Sequence, residues 1–365
     1  MADLHTNLCG LALRNPLIVS SGPLTYAAEA IRRAFAAGAA AAVTKTISRE
    51  PAVNPVPHIA AIGRGCLLNT EKWSDLPAER WIEQELPSLL DAGGVVVASL
   101  GHHRADVETL AASLVAAGAH ALEVVSYDSA DMVPMVTVAK ARVGVPVLAK
   151  LSPNWPDLLD CAAACLAAGA DGLTAIDSLG PTLAVDVETG RPLLGGPAWL
   201  SGAAIKPLAV RVVANLCIQH PGVPVVATGG VSRAQDVVEM VLVGAAAVGV
   251  HTAALLQGLG WFEKTLASLG RWLDGNGVGA LSDLRGQALR TLPSPERVDP
   301  LEFDYEQVQC TSCGRCVTVC AYGARTMDGK EMALDRELCR SCGLCVSVCP
   351  TGALKAEGSK SARRH

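Results

Sequence analysis

Four times along the chain a small-residue turn containing glycine leads into an apolar run that ends in polar residues: AFAAGAAAAVTKT, LVAAGAHALEVVSYD, LAAGADGLTAID and LVGAAAVGVHTA. Each reads as the end of an Ala-rich helix, a Gly cap and a fully buried strand. NPLIVSSG, GVVVASLG, VPVLAKLS and VPVVATGG supply four more strands, with amphipathic segments such as DVETLAASLVAAG and RAQDVVEMVLVG between them. Eight buried strands alternating with helices predict an α/β chain whose residues 1–273 form a (β/α)₈ TIM barrel, since that fold takes about 250 residues. A doubly wound open sheet is the alternative, but it usually has fewer strands and a nucleotide fingerprint. No G-x-G-x-x-G opens a helix after a strand here, so no NAD(P) site is evident.

Beyond Leu273 the pattern breaks. Residues 274–307, rich in Gly, Pro and charge, read as a linker with short helices. A small cysteine-rich domain follows over 308–354, and 355–365 read as a disordered tail. One uncharged run, Met240 to Phe262, has the length of a membrane span. It contains four glycines with His251 and Thr252 at its centre, so a buried strand followed by a helix is expected instead.

Composition agrees with layered α/β packing: half of the 365 residues are apolar, only 18% are charged, and aromatics are scarce at 4%. A net charge of −5 gives no electrostatic reason for a nucleic-acid or membrane partner. Thirteen cysteines in a chain of this size, with no signal-peptide pattern at MADLHTNLCG, point to metal ligation in the reducing cytoplasm rather than to disulfides.

Eight of those cysteines form a doubled run, Cys310-x-x-Cys313-x-x-Cys316-x-x-x-Cys320 and Cys339-x-x-Cys342-x-x-Cys345-x-x-x-Cys349-Pro350. This is the spacing of a two-[4Fe–4S] ferredoxin-like domain, in which the fourth cysteine of each run reaches the other cluster. Cys310, Cys313, Cys316 and Cys349 are therefore expected on one cluster, and Cys339, Cys342, Cys345 and Cys320 on the second. A zinc module is the competing reading, and Ala321 stands where the second run has Pro350. Cys9, Cys66, Cys161, Cys165 and Cys217 are isolated and read as inert thiols.

A TIM barrel works at the C-terminal ends of its strands. There the chain offers Ser20-Ser21-Gly22, Lys45-Thr46, Ser99, Ser126-Tyr127-Asp128, Lys150, Asp177-Ser178, Gly229-Gly230 and His251-Thr252. Gly229-Gly230 and the turn into Thr252 occupy the usual phosphate position, where free backbone N–H groups cradle an anion. Lys45 and Lys150 at inner strand ends call for a buried anion or an electron-rich ring, and a reduced flavin is one. The histidines show no metal-ligand spacing, and His102-His103, closing the strand-three loop, is expected at the surface, with contact to substrate or flavin as the alternative.

These residues carry a resemblance. From Asn7 to about Leu273 the chain is similar to the flavin barrel of the dihydroorotate dehydrogenases, through GLALRNPLIVSSGPLT, AAVTKTI, NPVPHI, LLNTEKWS, VVASL, ALEVVS, VLAKLSPN, ADGLTAID, SGAAIKPLAVRVV and ATGGVSRAQDVVEMVLVGAAAVGVHTA. It looks closest to the C-terminal half of dihydropyrimidine dehydrogenase and its bacterial two-subunit homologue, which also end in a two-cluster tail. The resemblance implies FMN held by Ser21, Gly22, Lys45, Thr46, Lys150, Ser201, Gly202, Gly229, Gly230 and Thr252. It also implies an oligomer and a partner, either a reductase subunit with FAD and an NAD(P)H site or a ferredoxin, feeding electrons through the clusters to FMN.

The substrate-reading residues diverge. Where the pyrimidine enzymes end strand four in Asn-Leu-Ser-Cys-Pro, this chain has Val125-Ser126-Tyr127-Asp128-Ser129, with the following loop cut short before Val133. Asp177-Ser178 replaces Asn-Thr at strand six, while Asn69 and Glu71 keep the family's types. Loss of two amides removes the partners of a pyrimidine's imide edge, and unpaired polar contacts of that kind discriminate by about 10⁴-fold. The expectation is an oxidoreductase acting on a C=C bond conjugated to a carbonyl, with a substrate other than a standard pyrimidine. Asp128, or else Tyr127, takes the cysteine's place as proton donor, with Lys45 and Lys150 supporting the flavin. The alternatives are a dihydropyrimidine dehydrogenase with an altered pocket and a non-catalytic electron-transfer adaptor.

Overall fold

The structure, a computed structural model, describes residues 2–292 and 299–356, and it divides into two units, Met1–Pro293 and Ser294–His365. In the first unit the eight expected strands close into a parallel barrel: β1 Leu17–Val19, β2 Ala41–Val43, β3 Val95–Leu100, β4 Ala121–Val124, β5 Val147–Leu151, β6 Gly172–Ala175, β7 Val225–Thr228 and β8 Ala247–Val250. Each strand pairs with the next, and β8 closes on β1 with Val248, Gly249 and Val250 opposite Leu17, Ile18 and Val19. The barrel excludes the open-sheet alternative. Most of these strands are buried at every position, because helices cover one face and the barrel interior the other, so they read as apolar runs without alternation.

Around the barrel lie α1 Ala28–Ala36, α2 Arg104–Ala116, α3 Ser129–Arg142, α4 Leu158–Ala167, α5 Lys206–Gln219, α6 Ala234–Leu242, α7 Thr252–Gln257 and α8 Trp261–Gly275. The recurring Gly of the sequence pattern sits just after α1, α2, α4 and α6, where Gly38, Gly118, Gly169 and Gly244 have φ of 111°, 118°, 102° and 104°. A side chain at that left-handed cap would be strained, which explains the repeat. The uncharged run resolves into the last turn of α6, then β8, α7 and the start of α8. No helix among the described residues is long and apolar enough to cross a membrane.

Two additions were not foreseen. A hairpin of Thr6–Leu8 and Leu11–Leu13 packs Leu8 and Leu13 against Ile18, Ala41, Val97, Leu148 and Val226, which fills the barrel end remote from the active mouth. Ile59–Ile62, Cys66–Asn69, Ala198–Gly202 and Leu179–Thr182 form an antiparallel sheet from the long connections after β2 and β6. It brings Asn69, Ser201 and Gly202 to the mouth.

The segment expected as a linker contributes to both units. Its 3₁₀ turns Leu281–Leu284 and Gln287–Thr291 belong to the first, where Leu281 and Leu284 enter the barrel core. Phe303–Tyr305 belongs to the second and pairs with Leu354–Ala356. The rest of the expected tail, 357–365, lies outside the described residues.

The second unit is a doubled motif. Gly314 and Gly343, both left-handed, lead into the short helices Arg315–Thr318 and Leu344–Ser347. A hairpin of Arg325–Asp328 and Glu331–Leu334 follows the first. Cys316, Cys345, Val346, Leu354 and Ala356 make its core.

Candidate functional site

The C-terminal ends of the strands surround a cavity of about 390 Å³, within the size range of small-molecule sites. Of the sequence-predicted barrel residues, Asp128 and the fully buried Ser99 are not part of its wall. Lys45, at the end of β2, is buried and pairs with Glu71 at 2.8 Å. Lys150, on β5, lies 3.5 Å from Asp177 and 4.0 Å from Glu123. Burial pulls the Lys150 ammonium towards neutrality, but the Asp177 and Glu123 carboxylates more than offset this, so its pKa is raised. Glu123, on β4, accepts a hydrogen bond from Thr174 at 2.8 Å and has a raised pKa through its own burial, opposed by Lys150. Two ammonium groups thus reach the cavity, each already opposed by carboxylate.

The end of the cavity near β7 and β8 is built from backbone. Gly229 and Gly230 have φ of 120° and 79°, and a Cβ on Gly230 would meet the Lys206 backbone at 2.7 Å. No acceptor among the described residues takes the Gly229 or Gly230 N–H. Beside them Thr252 donates to Ser201 Oγ at 2.9 Å, and the Thr46 and Ser99 hydroxyls meet at 2.9 Å. Free N–H groups and hydroxyls without a basic side chain fit a phosphate. Gly22, φ 150°, beyond the end of β1, gives its Cβ space to His251, whose ring would lie 2.7 Å from an added methyl. Ser21 lines the wall next to it.

The remaining wall differs from the sequence expectation in two places. Asp128 is exposed, and its carboxylate caps α3 by accepting from Ala130 N at 3.0 Å, so the structure does not bring it to the cavity as a proton donor. Tyr127, at the rim, does line the cavity. Its phenol is pushed up to about 12, first by partial burial and then by the Asp177 carboxylate, and it remains an O–H donor at neutral pH. The second difference is His102, which is not at the surface. It is 8% exposed, its ring stacks on Tyr127 with centroids 4.3 Å apart, and Trp73 lies at 5.3 Å on a tilt. Neither ring nitrogen has a partner among the described residues. His103 is exposed, beside Asp131.

His251, expected at the mouth from its place after β8, is part of the wall. Its Nδ1 bonds the Ser20 carbonyl at 2.9 Å and its buried Nε2 is unpartnered. Asn69 donates to the Trp199 carbonyl at 3.2 Å, and Asn154 joins Ser178 and Gly180. The only sequence signal for the two histidines was their place just after β3 and β8.

In the second unit a cavity is lined by Cys310, Cys313, Cys316 and Cys349, the crossed set expected for the first cluster. Backbone N–H groups of Tyr322, Ala324 and Arg325 reach the Cys320 thiol, and those of Thr351, Ala353 and Leu354 reach Cys349. Both thiols have lowered pKa values; burial opposes this as the largest single influence, and the hydrogen bonds together outweigh it. Such donors stabilise thiolate sulfur on an iron cluster. Of the isolated thiols, Cys66, Cys161 and Cys165 are buried, while burial lifts half-buried Cys9 and Cys217 to about 11.

Residues 96–273 match the family model described as dihydroorotate dehydrogenase, and residues 309–353 match the 4Fe-4S dicluster domain. The catalytic subunit of dihydroorotate dehydrogenase B (NAD(+)) of Methanothermobacter thermautotrophicus is 31% identical over 298 residues, covering 78% of this chain and 98% of the relative. The subunits of the same name from Geobacillus kaustophilus and Desulforudis audaxviator are each 33% identical, over 80% and 78% of this chain and 97% of each relative. The chain belongs to the dihydroorotate dehydrogenase family. As a member of it, the protein is an FMN-dependent oxidoreductase acting on a CH–CH bond, and its dicluster domain adds two [4Fe–4S] clusters. The eight cysteines, four of which line one cavity, and the backbone cradle at Gly229 and Gly230 fit those groups.

Proposed function

We propose that this dihydroorotate dehydrogenase relative passes electrons from its two clusters to FMN and reduces, or in reverse forms, a C=C bond conjugated to a carbonyl, in a substrate other than a standard pyrimidine. The observation that carries the reading is the contrast within one cavity. Its flavin side keeps the family's lysines and glycines, whereas Val125, 5% exposed and apolar, stands where a pyrimidine enzyme has an amide. Asp177, the other replacement, is engaged with Lys150 and with the Ser178 N–H at 2.8 Å. An imide edge would meet a methyl group and a committed carboxylate, leaving buried polar groups unpaired.

FMN supplies hydride transfer when bound. Ser21, Gly22, Thr46, Ser201, Gly202, Gly229, Gly230 and Thr252 would hold it, the free N–H groups of Gly229 and Gly230 being suited to a phosphate. Lys45 and Lys150 would supply positive charge to a reduced flavin, and Glu71, Glu123 and Asp177 hold those ammonium groups in place. Asn69 and Ser178 orient the substrate. Tyr127 holds the proton that the α-carbon receives, in the role first considered for Asp128.

The relatives are named as catalytic subunits of an NAD(+)-linked enzyme. This supports a second subunit linked to NAD(P)H; a reductase carrying FAD, or a ferredoxin, is the donor of matching chemistry, and the assembly is proposed to be a cytoplasmic oligomer. A closer likeness to the two-subunit dihydropyrimidine dehydrogenase is part of this proposal, and the doubled cysteine run supports it.

The test is anaerobic: the reduced protein is mixed with enones, enoyl thioesters, orotate, uracil and thymine while flavin reoxidation is followed. Reoxidation by an enone or enoyl thioester and by none of the pyrimidines is the expected result; rapid reoxidation by a pyrimidine overturns it. Turnover with NADPH by this chain alone would remove the partner.

A further inference from the structure

The two halves of the cysteine domain run in register through Cys310 and Cys339, the glycines before each short helix, Cys320 and Cys349, and the N–H groups that reach those last two thiols. The correspondence breaks at one side chain. The third N–H donor is Arg325 in the first half and Leu354 in the second. Leu354, 2% exposed, packs in the apolar core as its surroundings require. Arg325 is as deeply buried, at 3% exposed, and carries a full charge.

A guanidinium cannot shed its proton, and buried arginines are almost always paired with an anion. Among the described residues no carboxylate lies within ion-pair distance of Arg325. Its Nη1 donates to Met332 Sδ at 3.3 Å, its plane lies over the Phe303 ring at 4.6 Å, and Nη2 is buried without an acceptor. Met332 Sδ is in turn 3.8 Å from Cys316 Sγ and lines the cavity of Cys310, Cys313, Cys316 and Cys349. The anion that this cation lacks is the thiolate-ligated iron–sulfur centre beside it.

We propose that Arg325 is the built-in counter-charge of the cluster region, and that its lack of an equivalent in the second repeat makes the two clusters unequal electron acceptors. Reduction adds one negative charge to a cluster, and a fixed cation held out of solvent favours the reduced form. The cluster that feels Arg325 more strongly therefore has the higher reduction potential and is filled first. Arg325 acts through the clusters and is a positioning charge, not a catalytic residue. The inference rests on the dicluster assignment and not on the substrate reading, so either can fail without the other.

The experiment is a mediated anaerobic redox titration of the full chain, followed by the electron paramagnetic resonance signals of the reduced clusters, with no substrate or partner added. Wild-type protein is expected to show two separate midpoints. Arg325→Leu, which gives the first repeat the residue of the second, lowers at least one midpoint and narrows the separation. A single wild-type midpoint, or an Arg325→Leu protein with full iron content and unchanged midpoints, overturns the proposal, and so does an equal fall of both. Should Arg325→Leu fail to load iron, Arg325→Lys and Arg325→Gln decide. A higher midpoint for the lysine variant supports the role of charge; equal midpoints refute it.

Discussion

The Tyr127 ring lies nearly parallel to that of His102, 7° between ring planes and 4.3 Å between centroids, so the residue just after β4 roofs an imidazole whose two nitrogens have no hydrogen-bond partner among the described residues. Stacking fixes the phenol at the cavity rim, and the hydroxyl is the part free to do chemistry. Tyr127→Phe keeps the stack and removes the proton. FMN content and KM are expected to stay near wild type while kcat falls by about 10²-fold or more, the usual scale of general acid catalysis. Steady-state kinetics with the substrate identified by flavin reoxidation check this.

Asp128 is the contrasting case. As the cap of α3 it contributes through the Ala130 N–H, and Asn caps equally well. Asp128→Asn is expected to leave turnover and denaturation midpoint unchanged, and Asp128→Ala to cost about 1 kcal/mol of stability with turnover intact. Loss of turnover in Asp128→Asn would return the residue to catalysis.

Acid should unfold the barrel through its buried histidines. Burial lowers the pKa of His102 and of His251 from 6.5 to about 4, with the Asp177 and Asp106 carboxylates opposing the shift at His102 and the Ser20 carbonyl at His251. Between those values the unfolded chain binds more protons than the folded one. The stabilisation is complete above pH 6.5 and is lost as the pH falls towards 4, by up to about 3 kcal/mol per histidine. Urea denaturation at pH 7.5, 6, 5 and 4.5 should show this decline, and His102→Phe should flatten it.

Lys150 neutralises two carboxylates, one of them fully enclosed by β4, β5 and β6. Lys150→Met leaves Glu123 buried beside Asp177 without its cation. A stability loss of about 3–5 kcal/mol is expected, together with weakened FMN retention, read by thermal unfolding and by flavin content after gel filtration. Lys150→Arg should recover much of the stability but little of the turnover, because the guanidinium fork fills the site differently.

Cys349 lines the cavity of the first run although it belongs to the second. Cys349→Ala is therefore expected to disturb the cluster of Cys310, Cys313 and Cys316 and to spare the set of Cys320, Cys339, Cys342 and Cys345. Iron content should fall towards half, with one of the two reduced-cluster signals retained.

The barrel and the cysteine domain were legible because each rests on local repetition: a capped helix followed by an apolar strand, and thiols at fixed intervals. The antiparallel sheet that carries Asn69 and Ser201 was not, since its strands come from connections far apart in the chain and meet only when β2 and β6 are in place. His102 gave no warning of its burial because Trp73 and Tyr127, which cover it, arrive from other loops. Asp128 does carry a legible signal, since an Asp directly before the helical run from Ser129 is an N-cap, although it aligns where the pyrimidine enzymes have their cysteine.

The hairpin that seats Leu8 and Leu13 in the far end of the barrel works as a stopper. A vessel closed at its base has one doorway, so a spent molecule must clear the rim before a fresh one can settle. Residues such as Tyr127 that narrow the rim then govern departure as much as arrival, and a change there should alter how strongly the product competes with the substrate.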